Sequence, residues 1–183
     1  MSVASVKSVA MLGLAGAKVN VEVDIGLGLP SFTIVGLADK AVDEAKERVR
    51  SAFKNSHLTF PQHRVTVNLA PADLKKSGTA YDLPIAVAIL LAEELVPSSA
   101  LNNTVVVGEL SLNGDVQSVP GVMPTVNQAK SYDAKTVFVP FVNREEAGLI
   151  DRVAVYPVKS LRELYLHLRG EKLIAVQPLT VPK

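Results

Sequence analysis

Apolar and polar residues alternate in the first third of the chain as half-buried β-strands require. Between Lys18 and Ile25 every second residue is valine or isoleucine, and each residue between them is charged or an amide. A period of two places the apolar set on one buried face. The same pattern, bounded by Gly and Pro turns, recurs later in the chain. We therefore predict strands at 5–12, 18–25, 31–35, 64–69, 136–139 and 153–158, with a hairpin through 13–16.

Other segments carry the helical period. Asp39 can cap a helix that runs to about Phe53, because the apolar residues between them fall on one helical face. Residues 83–92 are apolar on every side, so a helix there must be enclosed by the rest of the protein. Asn113-Gly114 predicts a hairpin turn between flanking strand residues. Further helices are predicted at 122–131, 144–150 and 161–168, the last capped by Ser160.

The order of these elements defines the expected fold class. Strands come first and then alternate with helices, which is typical of an α/β (α+β) sandwich with a mixed β-sheet. The helices should pack on this sheet around the buried central helix at 83–92. One domain at 1–170 accounts for all predicted elements. Residues 171–183 contain two prolines and no period, so we predict a linker there.

Composition narrows the function classes. The 183 residues carry a net charge of only +1, which excludes a global attraction to nucleic acid. The chain has no cysteine, which excludes thiolate chemistry. His57, His63 and His167 lack a metal-ligand spacing, and neither G-x-G-x-x-G after a strand nor a P-loop motif occurs. We therefore expect no metal site and no cofactor in this chain. Without a signal peptide or a long apolar run, we expect a cytoplasmic location away from membranes.

The polar loop before the apolar helix has a candidate nucleophile. Ser77 follows Lys75 and Lys76, and a serine activated by a neutral lysine is a known catalytic pair. The alternative is an ordinary solvated loop that contains these residues. Because neighbouring loop positions do not establish a buried, hydrogen-bonded pair, the second interpretation is favoured.

A basic region gives a second candidate site. Residues 40–76 contain eight basic and four acidic residues, a local balance of +4, while the rest of the chain is net −3. Lys46, Arg50 and Lys54 recur every four residues and form a helical stripe that could neutralise DNA phosphates. The competing interpretation is a solvated amphipathic helix in which Glu44 pairs with Arg48, and Asp43 and Glu47 temper the stripe. The candidate DNA-binding residues are Lys40, Lys46, Arg48, Arg50, Lys54, Arg64, Lys75 and Lys76.

Four blocks identify a family resemblance. They are G-L-P-S-F-T-I-V-G-L at 28–37, V-N-L-A-P-A-D-L-K-K-S-G at 67–78, Y-D-L-P-I-A-V-A at 81–88 and V-G-E-L-S-L-N-G at 107–114. Together they resemble the N-terminal domain of the ComM/YifB family of bacterial magnesium-chelatase-like AAA+ proteins. That domain is similar to the proteolytic domain of Lon protease, so the resemblance implies a Lon-like fold.

The resemblance also implies roles. It places the Lon nucleophile near Tyr81 or Asp82 and the Lon lysine at Met123, so the catalytic pair is missing. It implies a non-catalytic accessory domain of a hexameric, ATP-driven branch-migration helicase that acts in natural transformation. The partners implied are other subunits of the ring and single-stranded or branched DNA. ATP and Mg²⁺ would bind an ATPase domain after Lys183. An oligomerisation or partner-docking module is the alternative, and a serine peptidase is a weaker one.

Overall fold

A seven-stranded mixed sheet forms the framework of the protein. The computed structural model describes residues 2–13 and 15–183, so residue 14 of the predicted first turn lies outside the described residues. A two-stranded hairpin stands beside the main sheet. The strands are β1 (Ser2–Leu12), β2 (Ala15–Gly26), β3 (Ser31–Val35), β4 (Arg64–Ala70), β5 (Thr104–Val106), β6 (Glu109–Leu110), β7 (Val116–Gln117), β8 (Thr136–Pro140) and β9 (Ala154–Val158).

The order of strands in the main sheet is β3-β4-β2-β1-β5-β8-β9. β1, β2 and β4 pair antiparallel, whereas β3 pairs parallel with β4, and β5, β8 and β9 continue from β1 in parallel. Parallel neighbours require crossover connections, and the helices between the strands supply them. The mixed sheet of the predicted α/β sandwich is therefore confirmed.

Helices cover this sheet on both faces. α2, α3 and α6 pack with the larger apolar cluster on one face, and α4 and α5 pack with a second cluster on the other. Two short 3₁₀ turns occur at Ser98–Leu101 and Phe141–Asn143. In the part of the chain that the structure describes, no helix has the length and apolar character of a membrane span. The helices are α1 (Lys40–Asp43), α2 (Ala45–Asn55), α3 (Asp82–Ala92), α4 (Val122–Ser131), α5 (Arg144–Ala147) and α6 (Leu161–Leu168).

α3 is the buried central helix that the sequence predicts. All its residues except Leu91 are buried, and it packs against β1, β2 and α2. A helix that is apolar on every side is most stable when every side is buried away from water. The predicted caps are also confirmed at two other helices. Asp39 accepts a hydrogen bond from Val42 N–H at 2.8 Å, and Ser160 accepts one from Glu163 N–H at 3.1 Å.

The predicted hairpin around Asn113-Gly114 is shorter than expected. β6 and β7 contribute two residue pairs, and hydrogen bonds among Ser111, Asn113 and Asp115 close the loop between them. The preceding valine run enters the main sheet as β5. Val105 and Val106 face opposite apolar clusters, so burial on both faces draws this segment away from the hairpin.

Two helix boundaries also differ from the prediction. The helix capped by Asp39 is divided at Glu44 into α1 and α2, although Glu44 keeps right-handed helical angles, so the chain direction is maintained. α5 ends at Ala147, earlier than predicted, and turns follow it.

The tail at 171–183 has no helix or strand, yet it is attached to the domain. Gln177 N–H donates to the Val155 carbonyl of the edge strand β9 at 2.7 Å. Thr180 N–H donates to the Gly148 carbonyl at 2.8 Å, and Ile174 N–H donates to His167 Nδ1 at 2.9 Å. The tail is therefore docked over β9 and α5, and its role as a linker stays a prediction.

Candidate functional site

Two loops meet where the parallel strands β3 and β4 end. Leu37–Asp39 leads from β3 into α1, and Lys76–Gly78 belongs to the connection from β4 to α3. Lys76 N–H donates to the Leu37 carbonyl at 3.0 Å, and Asp39 N–H donates to the Lys76 carbonyl at 3.1 Å. Asp39 Oδ2 also accepts from Gly78 N–H at 3.3 Å. These hydrogen bonds fix the two loops as one unit at the carboxyl ends of the strands, where open α/β sheets commonly bind ligands.

Gly36 permits this close approach. Its φ is +109°, and a Cβ there would lie 2.3 Å from the Leu69 carbonyl oxygen. No L side chain fits that space, because β4 passes directly beside the turn. The glycine near the end of the first family block, at position 36, is therefore required by the close packing of the turn against β4.

Lys76 lies inside this unit. Its side chain is fully buried, and its Nζ donates to the Gly36 carbonyl at 2.7 Å and to the Pro71 carbonyl. Burial lowers the pKa of the ammonium, and Asp73 acts in the opposite direction. The donors of Lys76 already bind backbone carbonyls, so this geometry disfavours the predicted contact between Lys76 and phosphates. Ser77 is exposed, and the described residues show no hydrogen bond between it and either neighbouring lysine.

Arg48 is also engaged inside the protein. Its Nε and Nη2 donate to the two carboxylate oxygens of Asp82, at 2.6 and 3.0 Å, and Nη2 also reaches the Ala41 carbonyl. Asp82 is fully buried and accepts a further hydrogen bond from Leu110 N–H at 3.0 Å. The predicted Glu44–Arg48 contact exists, but at 3.9 Å it is the weaker one. Arg48 thus joins α2 to α3, and an external role in DNA contact does not fit this geometry.

The pKa directions in this pair have identifiable causes. Burial raises the pKa of Asp82, whereas the hydrogen bonds from Arg48 and Leu110 lower it. The hydrogen bond to Asp82 raises the pKa of Arg48, which keeps the guanidinium protonated. A bidentate guanidinium with a backbone donor is the arrangement that lets a carboxylate remain ionised away from water.

The positions at which the resemblance predicts the Lon pair include Tyr81 and Met123. The Tyr81 ring is buried, and burial raises the pKa of its phenol to about 12, with Asp39 adding to the effect. Met123 lies at the start of α4 and is 41% exposed. Sequence reasoning missed Thr79, whose hydroxyl donates to Glu109 at 2.6 Å beside the start of α3. No spacing pattern links these two residues, because they meet only through the fold.

The other six predicted basic residues differ in whether an acidic side chain lies nearby. Lys46 pairs with Asp43 at 3.0 Å, and Arg50 lies 3.9 Å from Glu47, as the amphipathic-helix interpretation predicted. Of the eight predicted DNA-binding residues, four are exposed and have no acidic partner within 4 Å in the described part of the chain. These are Lys40, Lys54, Arg64 and Lys75.

These four cations surround the unit formed by β3, β4 and their crossover. Lys40 and Lys75 flank the joined loops at the carboxyl ends of the strands, because each is adjacent to a residue that bonds the other loop. Arg64 begins β4, and Lys54 lies in the last turn of α2. β4 has seven residues, so the two ends are about 20 Å apart. This spacing suits contacts along an extended polyanion.

A separate groove of about 1140 Å³ lies between the start of β1, the end of α3 and the loop that follows it. Its charged and amide lining includes Lys7, Glu94, Asn102 and Arg169. None of the eight predicted basic residues lines this groove, so it is unrelated to the candidate DNA surface.

Comparison with known proteins identifies relatives along most of the chain. Residues 21–143 match the family model described as subunit ChlI of Mg-chelatase. An uncharacterised protein of Mycobacterium tuberculosis is 44% identical over 168 residues, which are 92% of this chain and 33% of that protein. Competence protein ComM of Haemophilus influenzae is 40% identical over 172 residues, covering 94% of this chain and 34% of its own length.

A more distant similarity agrees with the predicted Lon resemblance. Lon protease 2 of Bacillus subtilis is 28% identical over 120 residues, which are 64% of this chain and 21% of the protease. The chain spans about a third of the length of these two curated relatives. The resemblance to ComM and YifB is confirmed, and the chain belongs to the family described as subunit ChlI of Mg-chelatase.

Proposed function

We propose that this chain is a non-catalytic accessory domain of a ComM-type AAA+ protein, in which it supports ring assembly and contacts DNA without sequence preference. One observation carries the DNA part. Four exposed cations without acidic partners in the described residues surround a rigid unit of β3, β4 and their crossover. The competence role in the name of the Haemophilus influenzae relative is consistent with single-stranded or branched DNA as the ligand.

The contact would be made to phosphates. Lysine and arginine neutralise backbone charge and release condensed counterions, which gives affinity without reading the bases. Aromatic residues are only 5% of the chain, so base stacking contributes little to this proposal. In this scheme ATP and Mg²⁺ bind an ATPase domain that follows Lys183, other copies form a hexameric ring, and the protein acts in the cytoplasm as part of a branch-migration helicase.

A salt titration tests the DNA contact. Binding of fluorescent single-stranded and forked DNA is measured against salt for the wild type and for the triple variant Lys40→Glu/Lys54→Glu/Lys75→Glu. The variant should weaken binding and reduce the salt slope by about 2 for a single strand, because three phosphate contacts are lost. The matched control changes the exposed Lys135, Lys172 and Lys183 to Glu. If both variants lose the same DNA affinity, the effect comes from net charge alone, and the proposed binding surface is wrong.

An oligomerisation or partner-docking module is the second candidate, and exposed apolar residues favour it. Leu27 is 81% exposed and Leu29 is 89% exposed, both in the turn before β3. Analytical sedimentation of the wild type and of the double variant Leu27→Ser/Leu29→Ser measures the oligomeric state as a function of protein concentration. A concentration-dependent assembly that the variant abolishes, without any salt-dependent DNA binding, would favour the module over the DNA contact.

A serine peptidase is the third and weakest candidate. It requires an activated Ser77, whereas the Lys76 ammonium is bound to backbone carbonyls. Labelling by a serine-directed fluorophosphonate probe that disappears in Ser77→Ala would support the peptidase and contradict a non-catalytic domain.

A further inference from the structure

β3 is an edge strand whose outer side is open. It pairs with β4 alone, in parallel, with Ser31 beside Arg64 and Thr33 beside Thr66. Ser31 N–H donates to the His63 carbonyl, so Ser31, Thr33 and Val35 direct their backbone groups towards β4. Phe32 and Ile34 therefore direct their N–H and C=O groups outwards. In the described chain no turn, loop or tail segment bonds these four groups.

A basic stripe runs beside this open edge. α2 lies in the crossover between the parallel strands β3 and β4, so it runs antiparallel to both. Arg48 holds one flank of α2 against α3 through Asp82. Lys46, Arg50 and Lys54 lie about 160–240° around the helix from Arg48, at 100° per residue. They therefore occupy the flank that faces away from α3, towards β3.

Arg50 shows how near the stripe comes to the strand. Its guanidinium carbon lies 5.5 Å from the Phe32 ring centroid and 5.7 Å from that of Phe60. Arg50 keeps 45% of its side chain exposed, so it can still meet a ligand that lies along the edge. Phe32 and Ile34 themselves point into the core beneath α2.

The opposite face of β3 exposes Thr33 and Val35, two β-branched side chains. Val35 points away from α2 and is 45% exposed, and Leu37, just beyond the strand, is 56% exposed. Leu29, just before the strand, is 89% exposed. A strand added beside β3 would thus meet the α2 cations on one face, and Thr33 and Val35 on the other.

We propose that the outer edge of β3 binds an extended peptide segment in which acidic and apolar residues alternate, as an added strand of the sheet. The peptide backbone forms hydrogen bonds with the outward N–H and C=O groups of Phe32 and Ile34. Because side chains alternate between the two faces of a strand, its acidic residues face the α2 stripe and its apolar residues face Val35.

Charge selects this occupant over a second copy of the chain. Lys46 pairs with Asp43 and Arg50 lies 3.9 Å from Glu47, so Lys54 leaves the stripe with a net positive charge. Pairing β3 with β3 would place two such stripes together, which is unfavourable. The proposal does not depend on DNA binding.

Amide hydrogen exchange of the 183-residue protein tests the proposal directly. In the free protein, Phe32 and Ile34 amides should exchange fast, whereas those of Thr33 and Val35, which bond β4, should exchange slowly. Addition of the acetylated, amidated heptapeptide Glu-Val-Glu-Val-Glu-Val-Glu should slow exchange at Phe32 and Ile34 at least tenfold. No protection at millimolar peptide would overturn the proposal.

Two further comparisons separate backbone pairing from charge attraction. The same heptapeptide with alternate amides N-methylated keeps its charge but loses the donors for pairing, and it should bind at least tenfold more weakly. Arg50→Glu should weaken the unmodified peptide to a similar extent, whereas Lys135→Glu should not. Equal binding of both peptides would overturn the proposal in favour of simple charge attraction.

A third comparison uses the strand itself. Ile34→Pro removes an outward donor without removing a bond to β4, so it should abolish peptide binding in a protein whose melting curve shows that it is folded. If that variant does not fold, the exchange measurement on the wild type decides the matter. Protection of Phe32 and Ile34 that rises with protein concentration alone, together with a dimer in sedimentation, would overturn the proposal in favour of pairing between two copies.

Discussion

Arg48 in α2 donates hydrogen bonds to both carboxylate oxygens of Asp82 at the start of α3, with nitrogen–oxygen distances of 2.6 and 3.0 Å. The Asp82 side chain is fully buried, and that of Arg48 is 17% exposed. The pair joins the only charged residue of the buried helix to the helix that carries the basic stripe. It therefore fixes which flank of α2 faces solvent.

Breaking this pair should be costly. Arg48→Met leaves an uncompensated carboxylate in the core, and we expect it to lower the free energy of unfolding by about 3–5 kcal/mol. Urea denaturation followed by circular dichroism measures the loss. The double variant Arg48→Met/Asp82→Leu removes the stranded charge and should recover part of the stability. If Arg48→Met were as stable as the wild type, Asp82 would be neutral in the folded protein.

The neighbours Lys75 and Lys76 should respond differently to the same substitution. Lys76→Met removes the donor that satisfies the Gly36 and Pro71 carbonyls, so we expect a loss of about 1–3 kcal/mol in the free energy of unfolding. Lys75→Met changes an exposed side chain and should leave stability almost unaltered while weakening DNA binding. Equal denaturation midpoints for the two variants would contradict the buried position of Lys76.

Gly36 and Gly78 provide a second matched pair. Gly36→Ala combines a positive φ with a Cβ only 2.3 Å from a backbone oxygen, and it should cost more than about 3 kcal/mol. Gly78→Ala has a φ of +83° but open space around the Cβ, so only the conformational cost of about 1–2 kcal/mol applies. Thermal melts of both variants measure the difference. A larger effect at Gly78 would show that the loops are not joined as described.

His167 should make stability depend on pH. Burial lowers its pKa below the ordinary value of 6.5, while Glu163 acts in the opposite direction. The folded state therefore binds fewer protons than the unfolded state as the pH falls below 6.5. Stability should be highest above this pH, decline towards the folded-state pKa and then level off. Protonation of Nδ1 would also remove the acceptor for Ile174 N–H in the tail.

Urea midpoints between about pH 8 and pH 5 measure this dependence. The variant His167→Gln should lose this component of the pH dependence, whereas His63→Gln, at an exposed histidine, should keep it. On acidification, hydrogen exchange at the Ile174 amide should slow less than the intrinsic base-catalysed rate does, because its acceptor is lost. An unchanged profile in His167→Gln would assign the effect to another group.

The alternating and helical patterns of the sequence predicted most elements of this fold. The strand at 31–35 and the helix at 122–131 match β3 and α4 at both ends, and the enclosed helix is α3. These predictions succeed because side-chain burial has a period of two in a strand and 3.6 in a helix. The four family blocks identified the relatives, because four long blocks in the right order are far more specific than a single short motif.

The tertiary structure decided which charged residues are available to a ligand. Lys75 and Lys76 are adjacent in the same loop, yet one is exposed and the other is enclosed by backbone carbonyls. Arg48 belongs to the same basic region as Arg50, but Asp82, which is 34 residues away, binds it. The open edge of β3 also follows from strand order alone. Sequence patterns report local periodicity, whereas desolvation and ion pairing depend on segments that only the fold brings together.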